Sequence, residues 1–143
     1  MNLAKIEAQL IAHEGERLVL YRCIAGKSSI GIGHNLTDNG ITQEMSRFIF
    51  GIDLQECIVD LSQRVFLGQF EDFPDDIQHV LTDMRFQLGH TGFRNFKKMI
   101  TAYRKLDLAE AVKQMRDSRW FHQVPGRAND LIKIVEGFQK GKE

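Results

Sequence analysis

The chain has 143 residues, 43% hydrophobic and 27% charged, a globular mixture that predicts one domain or two small lobes and argues against disorder. Nineteen basic and nineteen acidic side chains give a formal charge of zero, which argues against a dedicated nucleic-acid binder. That zero is an average: residues 1–84 carry 6 Lys/Arg against 13 Asp/Glu, net −7, and residues 85–143 carry 13 against 6, net +7.

Leu3, Ile6, Leu10 and Ile11 recur at helical spacing and predict an amphipathic helix over 2–13, ended by Gly15. Leu18–Tyr21 and the run Ser29-Ile30-Gly31-Ile32-Gly33-His34 flank a break at Ala25-Gly26-Lys27 and read as a β-hairpin. Gly31 and Gly33 are poor strand formers and mark a bulge or a close backbone approach. Asp38-Asn39-Gly40 signals a turn. A helical pattern then runs over about 42–64. Phe73-Pro74-Asp75-Asp76 is a helix start with early proline and first-turn acids, and that helix should run to about Gly89. Further helices are expected near 93–105, 108–118 and 127–138. Asp107 with Glu110 makes a capping-box-like start, and Pro125-Gly126 separates the last two.

The expected fold class is therefore α+β: a small β-hairpin lobe (about 14–41) joined by a long helix (about 42–64) to a mainly helical C-terminal lobe. That lobe takes residues 65–143 together with the N-terminal helix 2–13. Cys23 and Cys57 are too few for a disulfide scaffold, form no CxxC, and are expected as free thiols. No apolar run approaches the roughly 18–20 residues that span a bilayer, so stable membrane insertion is not expected. The N-terminus holds Glu7 within its apolar stretch and lacks a small-residue cleavage site, so it does not read as a signal peptide. Five histidines without close ligand spacing argue against a metal site, and no cofactor is expected.

Glu14 stands at a helix-to-strand corner, where half-burial against the hairpin would raise its pKa and suit it to general-acid work. Taken alone, it reads more simply as a solvated surface acid. Cys23 and Ser29 follow in the spacing Glu-x8-Cys-x5-Ser. Strand, turn and strand can bring thiol and hydroxyl together near the carboxyl. Taken alone, Cys23 reads as a small packed hydrophobe and Ser29 as an ordinary strand or turn residue.

Three blocks read together change the weighting. They are His13-Glu14-Gly15 through Tyr21 with Ser29-Ile30-Gly31-Ile32-Gly33-His34 and Leu36-Thr37; Phe86-Gln87-Leu88-Gly89-His90-Thr91-Gly92; and Ser118-Arg119-Trp120-Phe121-His122-Gln123-Val124-Pro125-Gly126-Arg127-Ala128. In this order they resemble phage lysozymes of the T-even type, glycoside hydrolase family 24, over roughly residues 5–137. The resemblance implies a lysozyme-like fold with catalytic Glu14, Cys23 and Ser29. It also implies supporting or substrate-binding roles for His34, Phe86, Gln87 and Arg127. Cys stands where the T-even pattern has Asp, as in other phage lysozymes of the family, and Ser29 keeps the hydroxyl of the usual Thr. The segment after the third strand is shorter than in T-even members, which lowers one expected wall of the cleft.

The implied substrate is peptidoglycan, cleaved at the β-1,4 bond from N-acetylmuramic acid to N-acetylglucosamine. Glu14 would protonate the leaving oxygen while a water oriented by Cys23 and Ser29 attacks from the opposite face. This is the inverting geometry, with paired groups roughly 6.5–9.5 Å apart. A free thiol titrates at about 8.5 and anionic Glu14 would raise it, so a neutral, water-positioning thiol is expected at Cys23. Arg127 is expected to pair with Glu14, and His34 to be hydrogen-bonded within the hairpin. Gln87 should accept from the Trp120 indole, and Phe86 should stand at the sugar cleft. Asn35, Met99 and Gln114 fall at other cleft positions but differ in residue type.

The expected partner is peptidoglycan, met by a monomer, with no nucleic acid. A holin or a phage particle would supply delivery from the host cytoplasm to the periplasm or cell wall. Two alternatives stand beside this reading. One is a catalytically weak or inactive cell-wall glycan-binding relative. The other is a helical nucleic-acid binder using the basic half, which has no motif of its own.

Overall fold

The computed structural model describes residues 1–141, so the final two residues of the expected helical lobe lie outside the described part. It is 71% helical with one small antiparallel sheet, an α+β architecture. Two compact units divide at Ile49 and Phe50, inside one helix.

In the first unit, α1 spans Leu3–Glu14. Asn2 starts it by accepting the Lys5 N–H at 3.1 Å, and the Gly15 N–H closes it on the Ile11 carbonyl at 2.8 Å. These contacts satisfy backbone groups that a helix end leaves without intrahelical partners. Strands β1 (Arg17–Arg22), β2 (Ser28–Gly31) and β3 (His34–Asn35) form a sheet in chain order. Arg17 pairs with Gly31 and Tyr21 with Ser29, so four steps along β1 oppose two along β2. Such an irregularity re-aims side chains locally.

The run expected as one strand from Ser29 to His34 is two strands and a tight turn. Gly31 (φ 67°) and Gly33 (φ 63°) occupy left-handed backbone, which reverses the chain and lets Ile30 pair with His34. The expected turn at Asp38-Asn39-Gly40 is one helical turn, α2 (Leu36–Asn39), capped by Asn35 accepting from the Asp38 N–H at 3.0 Å.

Helix α3 spans Gln43–Val59. The regular helix expected to about residue 64 changes at Asp60 to a wider π-type segment, Asp60–Val65. A short 3-10 turn, Phe70–Asp72, precedes α4 (Asp75–Arg94). Helix α4 is broken where expected: Gly89 adopts φ 75°, ψ 177°, and helical structure then resumes to Arg94. Helices α5 (Lys97–Arg104), α6 (Leu108–Arg116), α7 (Arg119–Gln123) and α8 (Pro125–Lys140) complete the unit. Asp107 caps α6 through the Glu110 N–H at 3.1 Å, and Pro125 occupies the first turn of α8. Sequence periodicity missed α7, whose five residues are too short to display a repeat; Ser118 caps it.

The core lies in this second unit. Leu61, Val80, Leu81, Met84, Phe93, Tyr103, Met115, Ile132 and Val135 are fully buried. Helix α6 packs on α5 and α8, and α4 packs on α8. Complete burial of one such aliphatic side chain contributes about 1.5–3 kcal/mol.

A buried ion pair, Asp60 with Arg85, interrupts this core. Asp60 is inaccessible to solvent and accepts from Arg85 Nε at 2.6 Å and from Arg94 Nη2 and Nη1 at 2.6 and 2.9 Å. Arg64 approaches at 3.4 Å and His90 at 3.9 Å. The Arg94 hydrogen bonds, against the cost of burial and with help from Arg85, hold the Asp60 carboxyl far below the usual carboxylate range.

Leu67 is exposed with φ 51° and sits just before Gly68. Left-handed backbone costs a non-glycine residue roughly 1–2 kcal/mol, and glycine gives back part of that through unfolded-state entropy. Leu67→Gly should therefore raise stability by about 0.5–1 kcal/mol in urea denaturation; a loss of stability would show that the leucine packs favourably.

No described helix is long and apolar enough to cross a membrane.

Candidate active site

The first unit carries Glu14, Cys23, Ser29 and His34. Glu14 is the last residue of α1, and its side chain lies over Gly33: a Cβ built on Gly33 would stand 2.8 Å from Glu14 Oε2 and 3.0 Å from Cδ. The close approach foreseen for these glycines is thus the general-acid candidate resting on bare backbone. The carboxyl is exposed rather than half-buried. It follows α1 directly into the β1 corner, and the turn beneath it offers no side chain to cover it.

Gly33→Ala is expected to act through this contact. The methyl would push the carboxylate aside and would also strain the φ of 63°, a cost of about 1–2 kcal/mol. Lytic rate should fall at least tenfold at a temperature where the variant remains folded. An unchanged rate would show that the Glu14 position over Gly33 is unimportant.

Cys23 opens the β1–β2 turn. Its N–H donates to the Lys27 carbonyl at 2.9 Å, and the Gly26 N–H returns to the Cys23 carbonyl at 2.9 Å. The thiol is free and half-buried. The Lys27 backbone N–H holds it below its ordinary value; burial opposes this, and the Ala25 N–H and the Ser29 hydroxyl add to the lowering. This corrects the expectation that Glu14 would raise the thiol. The contacts governing its titration are the turn amides and Ser29, which favour the thiolate.

Ser29 is buried, 3% exposed, in β2 opposite Tyr21. Thiol and hydroxyl are therefore brought together, as the spacing suggested. His34 Nε2 donates to the carbonyl of Gly40, just past α2, at 2.7 Å, so it ties β3 to the end of that turn rather than bonding within the strands. Asn35 caps α2.

The second unit carries Phe86, Gln87 and Arg127. Phe86 packs on Phe50 with ring centroids 5.7 Å apart. Both rings line a groove with Leu54, His79, Asp83 and Arg127. Arg127 Nε donates to Asp83 Oδ1 at 2.6 Å, a carboxylate within its own unit. Asp83 lies in α4 and Arg127 in the first turn of α8, two helices that pack together. Gln87 accepts the Trp120 indole N–H at 2.9 Å, the core pair expected from sequence. Met99 is core, and Gln114 donates to Glu110 at 2.6 Å.

The Asp60 cluster was not foreseen. Its members, Asp60, Arg85 and Arg94, are widely spaced in sequence, and the only local hint was an acid within the apolar pattern near Leu61.

No family model matches the chain. Curated relatives do. The chain is 27% identical to a protein named probable T4-type lysozyme 1 of Dictyostelium discoideum, with 94% of this chain and 95% of the relative aligned. It is 24% identical over the same shares to probable T4-type lysozyme 2 of that organism. It is 30% identical to the pre-baseplate central spike protein of Enterobacteria phage T4, aligning 85% of this chain with 26% of that longer protein.

Proposed function

We propose that this chain, which resembles T4-type lysozymes along nearly its whole length, is a glycosidase that hydrolyses bacterial peptidoglycan at the N-acetylmuramic acid to N-acetylglucosamine linkage. The observation that carries the reading is local: Glu14 rests on Gly33 at one part of a small sheet, and Cys23 and Ser29 share another. Gly31, which pairs with Arg17 just after the Glu14 corner, is two residues along β2 from Ser29.

In this mechanism Glu14 delivers its proton to the glycosidic oxygen as the bond to the anomeric carbon breaks. A water positioned by the Cys23 thiol and the Ser29 hydroxyl attacks the opposite face and releases its proton to solvent; the Lys27 and Ala25 amides and the Ser29 hydroxyl hold the thiol below its ordinary value. Taken by itself, the second unit's groove, lined by Phe50, Phe86, Asp83 and Arg127, offers apolar and polar contacts suited to a sugar ring. Peptidoglycan is the partner and the cell wall the place of action. A holin or a phage particle provides delivery.

Clearing of chloroform-treated Gram-negative cells tests the reading. The chain should lower turbidity, and binding to the cells without clearing would leave only a glycan-binding role. The two cysteines give a sharper internal comparison. Cys23→Ala should slow clearing at least tenfold, whereas Cys57→Ala, buried beside Arg85, should act mainly on melting temperature. Equal loss of rate from both at matched folded fraction would remove Cys23 from the chemistry.

A further inference from the structure

The Asp60 carboxylate is the only charged group described that contacts both sides of the break in α4. Arg85 stands four residues before Gly89 and Arg94 five residues after it, and both donate to Asp60. The break is a single left-handed glycine, Gly89, with open space where a Cβ would stand, between Leu88, which packs against the core, and fully buried Phe93. Glycine itself brings no side chain to hold such a joint, and charge-assisted hydrogen bonds from its two flanks add to the packing that fixes it.

Between Arg85 and Gly89 lie Phe86, Gln87 and Leu88. Phe86 directly follows Arg85 and faces the groove, while Gln87 is held from the other side by Trp120. The carboxylate comes from the π-type segment, whose extra backbone turn begins at Asp60. Segments of this kind recur at functional sites. Arg94 further ties the second half by donating to the His90 carbonyl at 3.1 Å.

From this geometry we infer that Asp60 is a positioning residue: with Arg85 and Arg94 it clamps the Gly89 joint and so fixes Phe86 as the sugar-facing wall of the groove. This rests on the glycan-hydrolase reading for the meaning of the wall, and on the hydrogen bonds alone for the clamp. Asp60 touches no substrate; it acts through Phe86.

Arg94→Gln is the informative variant, because Arg94 is partly exposed and its loss leaves the buried Arg85–Asp60 pair in place. Amide hydrogen exchange over residues 86–95 should quicken at least tenfold while α8 is unchanged. KM for soluble peptidoglycan fragments should rise several-fold with kcat within twofold, at a temperature where wild type and variant are both folded. In a double-mutant cycle, Arg94→Gln should add little to the KM rise of Phe86→Ala. Unchanged exchange over 86–95 would overturn the clamp. Faster exchange with KM unchanged, or KM effects that multiply fully with Phe86→Ala, would overturn the positioning role. A wild-type chain that cleaves no fragment would instead overturn the glycan reading and with it the sugar-facing role of Phe86, and the exchange result would still decide the clamp.

Discussion

Glu14→Gln should abolish lysis to within about 10²–10⁴-fold of wild type, the range a positioned general acid supplies. The substitution keeps the side chain's size and its place over Gly33, so the loss isolates the proton. The carboxyl is exposed and caps no helix, so folding should be nearly untouched; exposed substitutions lie within about ±0.5 kcal/mol. Clearing rate and thermal melting on the same preparation check both halves. A variant that lyses at the wild-type rate would remove Glu14 from the reaction. A variant that fails to melt cooperatively would show that the carboxyl is structural.

Asp60→Asn should cost about 3–5 kcal/mol of stability, the usual consequence of breaking a buried ion pair from one side. The amide presents one acceptor oxygen where the carboxylate offers two to Arg85 and Arg94. It also leaves the Arg85 guanidinium buried without a counter-charge. The depressed carboxyl adds a pH signature. Its folded-state value lies well below the unfolded value of about 3.9, so ionised Asp60 favours the fold. That contribution is fully present above the unfolded value and drains away as pH falls below it toward the folded one. Urea denaturation should therefore show the gap between wild type and Asp60→Asn narrowing below about pH 4. A gap constant from pH 7 to pH 3, or one under 1 kcal/mol throughout, would contradict the buried-clamp account.

The α+β class was legible because its signals are periodic or punctual. Leu3, Ile6 and Leu10 mark α1, Pro74-Asp75-Asp76 opens α4, and Asp107 caps α6. Gly33 announced a close approach but not what approaches; the answer, Glu14, is nineteen residues away and depends on the turn that Gly31 and Gly33 create. The thiol–hydroxyl pair was readable as a spacing, whereas the direction of the thiol's titration was not. Backbone amides in a turn leave no trace in side-chain identity, and the Lys27 amide is the largest influence on the thiol. Arg127 illustrates a further limit: its motif fixed the position, whereas its bond to Asp83 follows from α4 packing on α8, which no local pattern announces. The Asp60 clamp was hidden for a related reason, since its three charged members belong to no local pattern.

The opening charge balance also gains meaning. The polarity of the sequence does not follow the two units, since residues 1–49 carry 5 Lys/Arg and 5 Asp/Glu and residues 50–143 carry 14 of each; charge is distributed locally, as where Lys97, Lys98 and Lys105 line a groove together with Asp107 and Glu110. Attraction of an anionic wall depends on such local field rather than on net charge.

The central claim is that this chain cleaves peptidoglycan by direct displacement with water, Glu14 giving the proton. Proton NMR of the first products released from purified peptidoglycan, before mutarotation, tests it most directly. The account predicts new reducing ends on N-acetylmuramic acid in the α configuration. Reducing ends on N-acetylglucosamine, β products, or an undigested wall would contradict it.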